Sequence, residues 1–403
     1  MSREATLSRR DRGEGEVRAR RLLAAAGDPT DPRVMSGLPY HFFLYGRREG
    51  VIDGVATRSL HPLAVSLGRY AWNAWRLLSL QGKGGHQYTR ARTESVWLPL
   101  PDGELVVMNI FQLYPRHMLR EDRIRRWYFI DQTLRQLFDS YGQGQRVGRD
   151  VVPRSLELET SGYGAAEFVI ANSTWAAASL VEDYGVAEEK VGVVLQAANF
   201  HPDEYAAWST ARQAGGDGLS SEPEGPLRLV FVGGDWRRKG LDRLLRAVGS
   251  ANSDRPRVTL DVVGCRPRQL PGELRATEHV TWHGYVDKRQ DQRRFLNLLS
   301  SADVGCLLSR AEAGGNSLRE YHAVGLAVLG TTAGGAPEQT LPEATWLVDA
   351  DAGDDVVADH LRWLSDNRSE VEERKAVAWR NREAVLWPAT LRGVNGLLQA
   401  HGA

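Results

Sequence analysis

Short apolar runs alternate with amphipathic stretches along the second half of the chain. Leu227–Gly233 (LRLVFVG) predicts a buried strand, and Val258–Gly264 (VTLDVVG) predicts another. Between them, Asp242–Ser250 has a helical pattern, with Leu244, Leu245 and Val248 on its apolar face. Val280–Tyr285 is a third strand, followed by a helix through Phe295, Leu296, Leu298 and Leu299. Asp303–Leu308, Ala327–Gly330 and Trp346–Val348 continue the series. Strands alternating with helices of this length predict a parallel sheet covered on both faces.

The first half is less regular but has the same character. Glu104–Gln112 predicts a strand, and Phe168–Asn172 and Lys190–Leu195 predict strands flanking a helix over Thr174–Tyr184. The apolar run Arg21–Ala26 fits strand or helix. Residues 60–100, with Trp72, Trp75 and Trp97, stay ambiguous between strand, helix and loop. Ala206–Pro226 is rich in Gly, Ser and Glu and reads as a linker between domains 18–205 and 227–384. The first 17 residues are polar, with no apolar signal core, and read as a disordered tail.

Composition narrows the function classes. The 403 residues carry 51 basic and 51 acidic side chains, so no bulk charge points to nucleic acid. The two cysteines, Cys265 and Cys306, close apolar runs and read as buried thiols in a reducing compartment. No segment approaches the roughly 20 apolar residues that span a bilayer. A cytoplasmic protein is the expectation.

Two segments carry candidate chemistry. In FVGGDWRRKGLDRLLRA (Phe231–Ala247), a strand runs into Gly233 and Gly234, then three basic residues, then a helix. Arg238 offers a bidentate fork to a diphosphate and Lys239 a point charge. The segment lacks the Gly-Lys-Ser/Thr order of an ATPase loop and the G-x-G-x-x-G of a dinucleotide fold. In Ser309–Glu338, Glu312 and Glu320 stand with seven residues between them, around Gly314-Gly315-Asn316-Ser317. A glycine turn feeding backbone N–H groups into a helix start is an anion site, and flanking carboxylates accept sugar hydroxyls. Ser317 to Glu320 also fits a capping box, which would close the helix start with no ligand.

These segments resemble retaining glycosyltransferases of the GT-B fold, family 4. The likeness rests on Phe231–Ala247, His283-Gly284-Tyr285, the Glu312–Glu320 pair and Gly334-Gly335-Ala336-Pro337-Glu338, and it spans residues 165–350. It is weaker over residues 20–60, where Ser36-Gly37 resembles the family's N-terminal glycine turn. The resemblance implies two Rossmann-like domains facing a cleft, and a C-terminal helix (385–403) crossing back onto the first. It implies a nucleotide-diphosphate sugar as substrate, no cofactor and no required metal. Arg238 and Lys239 would hold the diphosphate, Glu320 the ribose, and Glu312 the transferred sugar. Gly37, Gly233, Gly234, Gly315, Asn316 and Ser317 would approach the donor. Asp349-Ala350-Asp351, the one Asp-x-Asp, reads as a solvated acidic loop.

The acceptor is not legible. The family's N-terminal-domain histidine has no secure equivalent, which leaves His41 and His117 as candidates. Tyr114–Arg126 (YPRHMLREDRIRR) is basic and reads either as a contact for an anionic lipid or acceptor, or as a solvated helix face. The interrupting Glu121 and Asp122 favour the second. The rival functions are another GT-B-like enzyme, an epimerase or phosphorylase, and a non-catalytic nucleotide-sugar binding module.

Overall fold

The computed structural model describes residues 19–110, 113–214 and 225–403. The expected N-terminal tail, the second half of the expected linker and the end of the Glu104–Gln112 segment lie outside them. Strands β1 (Arg20–Ala24), β2 (Gly54–Val55), β3 (Leu105–Asn109), β4 (Ile124–Ile130), β5 (Phe168–Ala171) and β6 (Val191–Val193) form one sheet in the order β2-β1-β3-β4-β5-β6. Strands β7 (Leu227–Val232), β8 (Val258–Val263), β9 (Val280–Gly284), β10 (Val304–Cys306), β11 (Ala327–Thr331) and β12 (Thr345–Val348) form a second, ordered β12-β11-β10-β7-β8-β9. Every named pairing in both sheets is parallel. Strands covered on both faces can be apolar throughout, and β3 and β11 are buried at every position.

Strand order reverses between β1 and β3 in the first sheet and between β7 and β10 in the second. A parallel α/β sheet opens a crevice at such a point, outside the carboxyl ends of its strands. The loops after β1, β7 and β10 are therefore where a ligand belongs.

The structure departs from the sequence expectation in two segments. Residues 206–214 are helical, within Pro202–Ala214, not linker. Tyr205 and Trp208 pack into the second domain's core with Phe200, which the polar composition of the segment hides. Tyr114–Arg126 is a solvated helix face only in part: Arg116, His117 and Arg120 are exposed on the short 3-10 helix Arg116–Arg120. The last three residues of Tyr114–Arg126 begin β4, where Trp127 and Tyr128 are fully buried. Arg126 donates to the carbonyls of Met118, Ile124 and Glu121, and Arg125 pairs with Glu167 at 2.5 Å.

The helix Trp387–Ala400 packs on the first sheet. Trp387, Leu391, Val394 and Leu398 join a core with Leu23, Phe42, Phe129 and Ile170. Trp387 is fully buried, its ring 5.5 Å from Phe42, and losing it would cost about 3–5 kcal/mol. The chain thus crosses from one domain to the other twice, and the two crossings meet where the Ala198 N–H donates to the Val385 carbonyl at 2.9 Å.

Candidate functional site

A cavity of about 770 Å³ lies between the domains, at the carboxyl ends of β1, β4, β7 and β10. Its lining includes Gly37, His41, Gly233, Gly234, Arg238, Lys239, Glu312, Gly315, Asn316, Ser317 and Glu320. His117 is not among them: it is exposed on the short 3-10 helix Arg116–Arg120, so of the two candidate histidines only His41 reaches the cleft.

The second domain supplies most of the charge. Lys239 Nζ lies 3.4 Å from Ser317 Oγ, which donates to the Val232 carbonyl at 3.0 Å. Gly233 serves this lysine in a way the turn reading missed. Its φ is not positive; a Cβ there would meet Lys239 Cδ at 2.4 Å. Gly233 is small so that the lysine stem can cross it, whereas a Cβ on Gly234 would meet nothing within 4 Å. Arg238 donates to the Ala311 carbonyl at 2.8 Å and to Glu312 Oε2 at 3.3 Å, and stacks over Tyr141 at 4.9 Å. Burial works against its charge, but Glu312, Tyr141 and Asp235 outweigh burial, and its pKa sits above the ordinary value.

The capping box does not form. Gly315, at φ 51°, is the N-cap of the helix Asn316–Ala323, and no side chain caps it. That register puts Ser317 inside the first turn, bonded to β7, and leaves Glu320 to Lys288 Nζ at 2.5 Å. Glu312 accepts from Ser309 Oγ at 3.1 Å and from the Gly315 N–H at 3.3 Å. The turn is therefore held by Glu312, and the helix N-terminus stays open to the cleft.

The first domain answers with a matching element. Met35, Ser36 and Gly37 have consecutive φ values of 46°, 57° and 84°. Two of these are non-glycine residues in the left-handed region, a strain that persists only where the surroundings impose it. Gly37 is the N-cap of Leu38–Arg48, again with no side-chain cap. One uncapped helix N-terminus from each domain thus borders the same cavity, and such termini attract anions.

His41 Nδ1 and Asn316 Oδ1 are buried with no hydrogen-bond partner among the described residues. Burial, then the charges of Lys288 and His201, hold His41 down to about 3, so its ring is neutral at pH 7. Asp131, directly after β4, also lines the cavity. Burial lifts its carboxyl to about 6, with the charge of Glu312 adding to the rise. Sequence reasoning missed Asp131 because it missed β4; an acidic residue ending an apolar run was the available signal.

Further contacts tie the two walls together. Glu338 accepts from Thr174 N at 2.7 Å and Thr174 Oγ1 at 2.8 Å, placing a carboxylate at the start of the helix Thr174–Glu182. Gln339 Nε2 donates to the Asn172 carbonyl at 2.7 Å, and the Ala313 N–H donates to Tyr141 Oη at 2.7 Å. Among the described residues, no group of three or more His, Cys, Asp or Glu is placed to hold a metal. The Asp349–Asp351 loop is outside the cavity lining, with the Asp351 N–H donating to Asp349 Oδ1 at 2.8 Å.

Residues 226–367 match the protein family described as Glycosyl transferases group 1. In structure the chain is similar to sucrose-phosphate synthase from Thermosynechococcus elongatus, with TM-score 0.63 and 15% identity over 95% of this chain and 98% of that one. It is similar to Anabaena Alr3699/HepE in complex with UDP, with TM-score 0.57 and 14% identity over 94% and 100%. A glycosyltransferase from Rickettsia africae ESF-5 gives TM-score 0.56 and 12% identity over 95% and 98%. No curated protein matches the chain significantly. The chain has the GT-B fold, two Rossmann-like domains facing a cleft, and it is residues 226–367 of the second domain that match the glycosyl transferases group 1 family.

Proposed function

We propose that the protein is a retaining, metal-independent glycosyltransferase of family 4. It moves a sugar from a nucleotide-diphosphate donor to a hydroxyl or similar nucleophile of a small-molecule, glycan or lipid acceptor. The observation that carries this reading is the pair of uncapped helix N-termini, at Gly37 and Gly315, bordering one cavity with Arg238 and Lys239. A diphosphate needs several fixed positive groups converging from different sides, and this cavity supplies them.

In the proposed reaction the bond from the sugar's anomeric carbon to the diphosphate oxygen breaks. The acceptor oxygen bonds to that carbon from the same face, and its proton passes to the departing diphosphate. Charge grows on the diphosphate as an oxocarbenium-like state forms. Preorganised donors aimed at that charge lower the barrier most. Lys239, Arg238 and the N-terminus at Asn316 and Ser317 take that role, and Glu320 holds the ribose. Glu312, engaged by Arg238 and Ser309, orients the sugar end with its remaining acceptor capacity. His41 and Asp131 face the acceptor from the first domain.

The test is donor hydrolysis and transfer across a panel of nucleotide sugars, followed by mass spectrometry. The UDP complex of the Anabaena protein makes uridine diphosphate sugars the first donors to try. Transfer with the donor's anomeric configuration kept, read by proton NMR, is the expected outcome. Free nucleotide and an altered sugar without acceptor would make it an epimerase. Turnover of inorganic phosphate without nucleotide would make it a phosphorylase. Tight nucleotide-sugar binding with no turnover would leave a binding module.

A further inference from the structure

The helix Pro62–Leu78 is built inside out. Leu63, Leu67, Tyr70, Ala74 and Leu77 recur at the spacing of one helix face, the pattern that elsewhere marks a buried stripe. Here Leu63, Leu67, Tyr70, Leu77 and Leu78 are each more than half exposed. The opposite face, with Val65, Trp72, Asn73 and Arg76, holds the helix to the protein mainly through polar contacts. Fully buried Arg76 donates to the Gly82 carbonyl at 2.6 Å and pairs with Asp150. Trp72 Nε1 donates to the Gly84 carbonyl at 2.9 Å, and Asn73 Oδ1 accepts from the Gly84 N–H at 2.9 Å. A sequence that places polar groups on the inside and leucines on the outside is shaped by something beyond this chain.

The charge around the stripe identifies that partner. From Gly54 to Thr93 the chain has no aspartate or glutamate, while the protein as a whole balances 51 against 51. Arg58, Arg69, Lys83 and Arg90 in this stretch are exposed. The adjoining segment adds exposed Arg146 and Arg149. Glu94 pairs with Arg90, and Asp150 with Arg76 and Arg154, which leaves Arg58, Arg69, Lys83, Arg146 and Arg149 as a net basic border, and an exposed apolar stripe with an aromatic residue and such a border is the signature of a helix lying in a membrane interface. The helix spans about 26 Å, and no helix among the described residues is long and apolar enough to cross a membrane. It suits lying in the interface plane.

We infer that the helix Pro62–Leu78 seats this protein on an anionic phospholipid bilayer. Leu63, Leu67, Tyr70, Leu77 and Leu78 enter the interfacial layer, and Arg58, Arg69 and Lys83 meet the headgroups. The excursion leaves the first sheet at the carboxyl end of β2, the side that faces the cleft, and returns through the Thr57–Trp97 bridge. If sugar transfer is the reaction, a lipid-borne acceptor would arrive from that side.

The experiment is flotation of the full chain with vesicles of phosphatidylcholine, with and without phosphatidylglycerol. The expected result is binding to the anionic vesicles, weakened in high salt and weak or absent without phosphatidylglycerol. Leu67→Glu with Leu78→Glu should lower it by at least about 10-fold, with an unchanged melting temperature and unchanged donor hydrolysis in solution. Failure to float with either vesicle, or equal flotation of parent and variant, would overturn the inference. So would a parent that dimerises through this face by ultracentrifugation while ignoring vesicles, since a second copy would then cover the stripe. Loss of flotation with hydrolysis intact separates this surface from the proposed reaction.

Discussion

Lys288 Nζ sits 2.5 Å from Glu320 Oε1, and the same ammonium donates to the Asn199 carbonyl at 3.2 Å and rests against the Phe295 ring at 5.2 Å. Glu320 Oε2 has no hydrogen bond among the described residues. The pair therefore fixes one carboxylate oxygen and leaves the other for ligand hydroxyls. Glu320→Gln keeps an acceptor for Lys288 and loses the charge. Nucleotide-diphosphate affinity should fall several-fold by calorimetry, with little change in melting temperature. Lys288→Met leaves a carboxylate that is 4% exposed without its partner. Because Lys288 itself is 29% exposed, the expected cost is about 1–3 kcal/mol, less than for a fully buried pair. The double variant should recover most of it. If the two losses simply add, the pair is not coupled.

Lys239→Ala should lower turnover by about 10²-fold or more, the scale of losing one preorganised donor. Its fold should survive, since the side chain borders a cavity. Gly233→Ala should mimic it in part, because the new methyl would stand 2.4 Å from Lys239 Cδ and push the lysine out of line. Gly234→Ala should melt with the parent, so any loss of donor affinity there reports a ligand contact. Steady-state kinetics on the three variants ranks them. Equal turnover of Lys239→Ala and parent would remove the lysine from the site.

The second domain was legible because its strands are short, mainly apolar runs, of which β7 and β8 run straight into Gly233 and Gly264, and its charged loops follow directly. The first domain was not, for identifiable reasons. Strand β4 contains Arg125 and Arg126, whose charges are absorbed by Glu167 and by backbone carbonyls that no local pattern reveals. Losing β4 lost Asp131. The helix Pro62–Leu78 stayed ambiguous because Trp72 and Trp75 stand off its leucine stripe and blur the period, and the side that packs inward is set by the tertiary fold. Glu320 was visible as a candidate, yet its partner Lys288 lies 32 residues away on another helix. Pairings of that kind are set by the tertiary fold.

Activity should persist in a chelator. The donor motifs supply fixed cations, and Asp349-Ala350-Asp351 lies outside the cavity lining. Transfer measured with EDTA at excess over trace metal should match the untreated rate. Complete loss, restored by Mg²⁺ or Mn²⁺, would contradict this and redirect attention to Asp349 and Asp351.

Glu159 should make stability fall as pH rises. Its carboxyl is buried in the first domain, where it accepts from the Leu134 N–H at 3.0 Å and from Tyr163 Oη at 2.9 Å, with Tyr184 Oη also bound. Burial lifts its pKa from 4.5 to about 8, against the downward pull of Tyr184, Leu134 and Tyr163. A carboxyl with a raised folded-state pKa favours the fold while protonated. Its stabilising contribution is full below pH 4.5 and is lost as pH climbs through about 8. The expected loss is on the order of a few kcal/mol. Glu159→Gln keeps a neutral acceptor and donor of the same shape and removes the titration. Urea unfolding at acidic, neutral and alkaline pH should show the variant gaining on the parent as pH rises. Parallel pH profiles for the two proteins would mean that Glu159 is ionised in the fold across the whole range, held there by its hydrogen bonds.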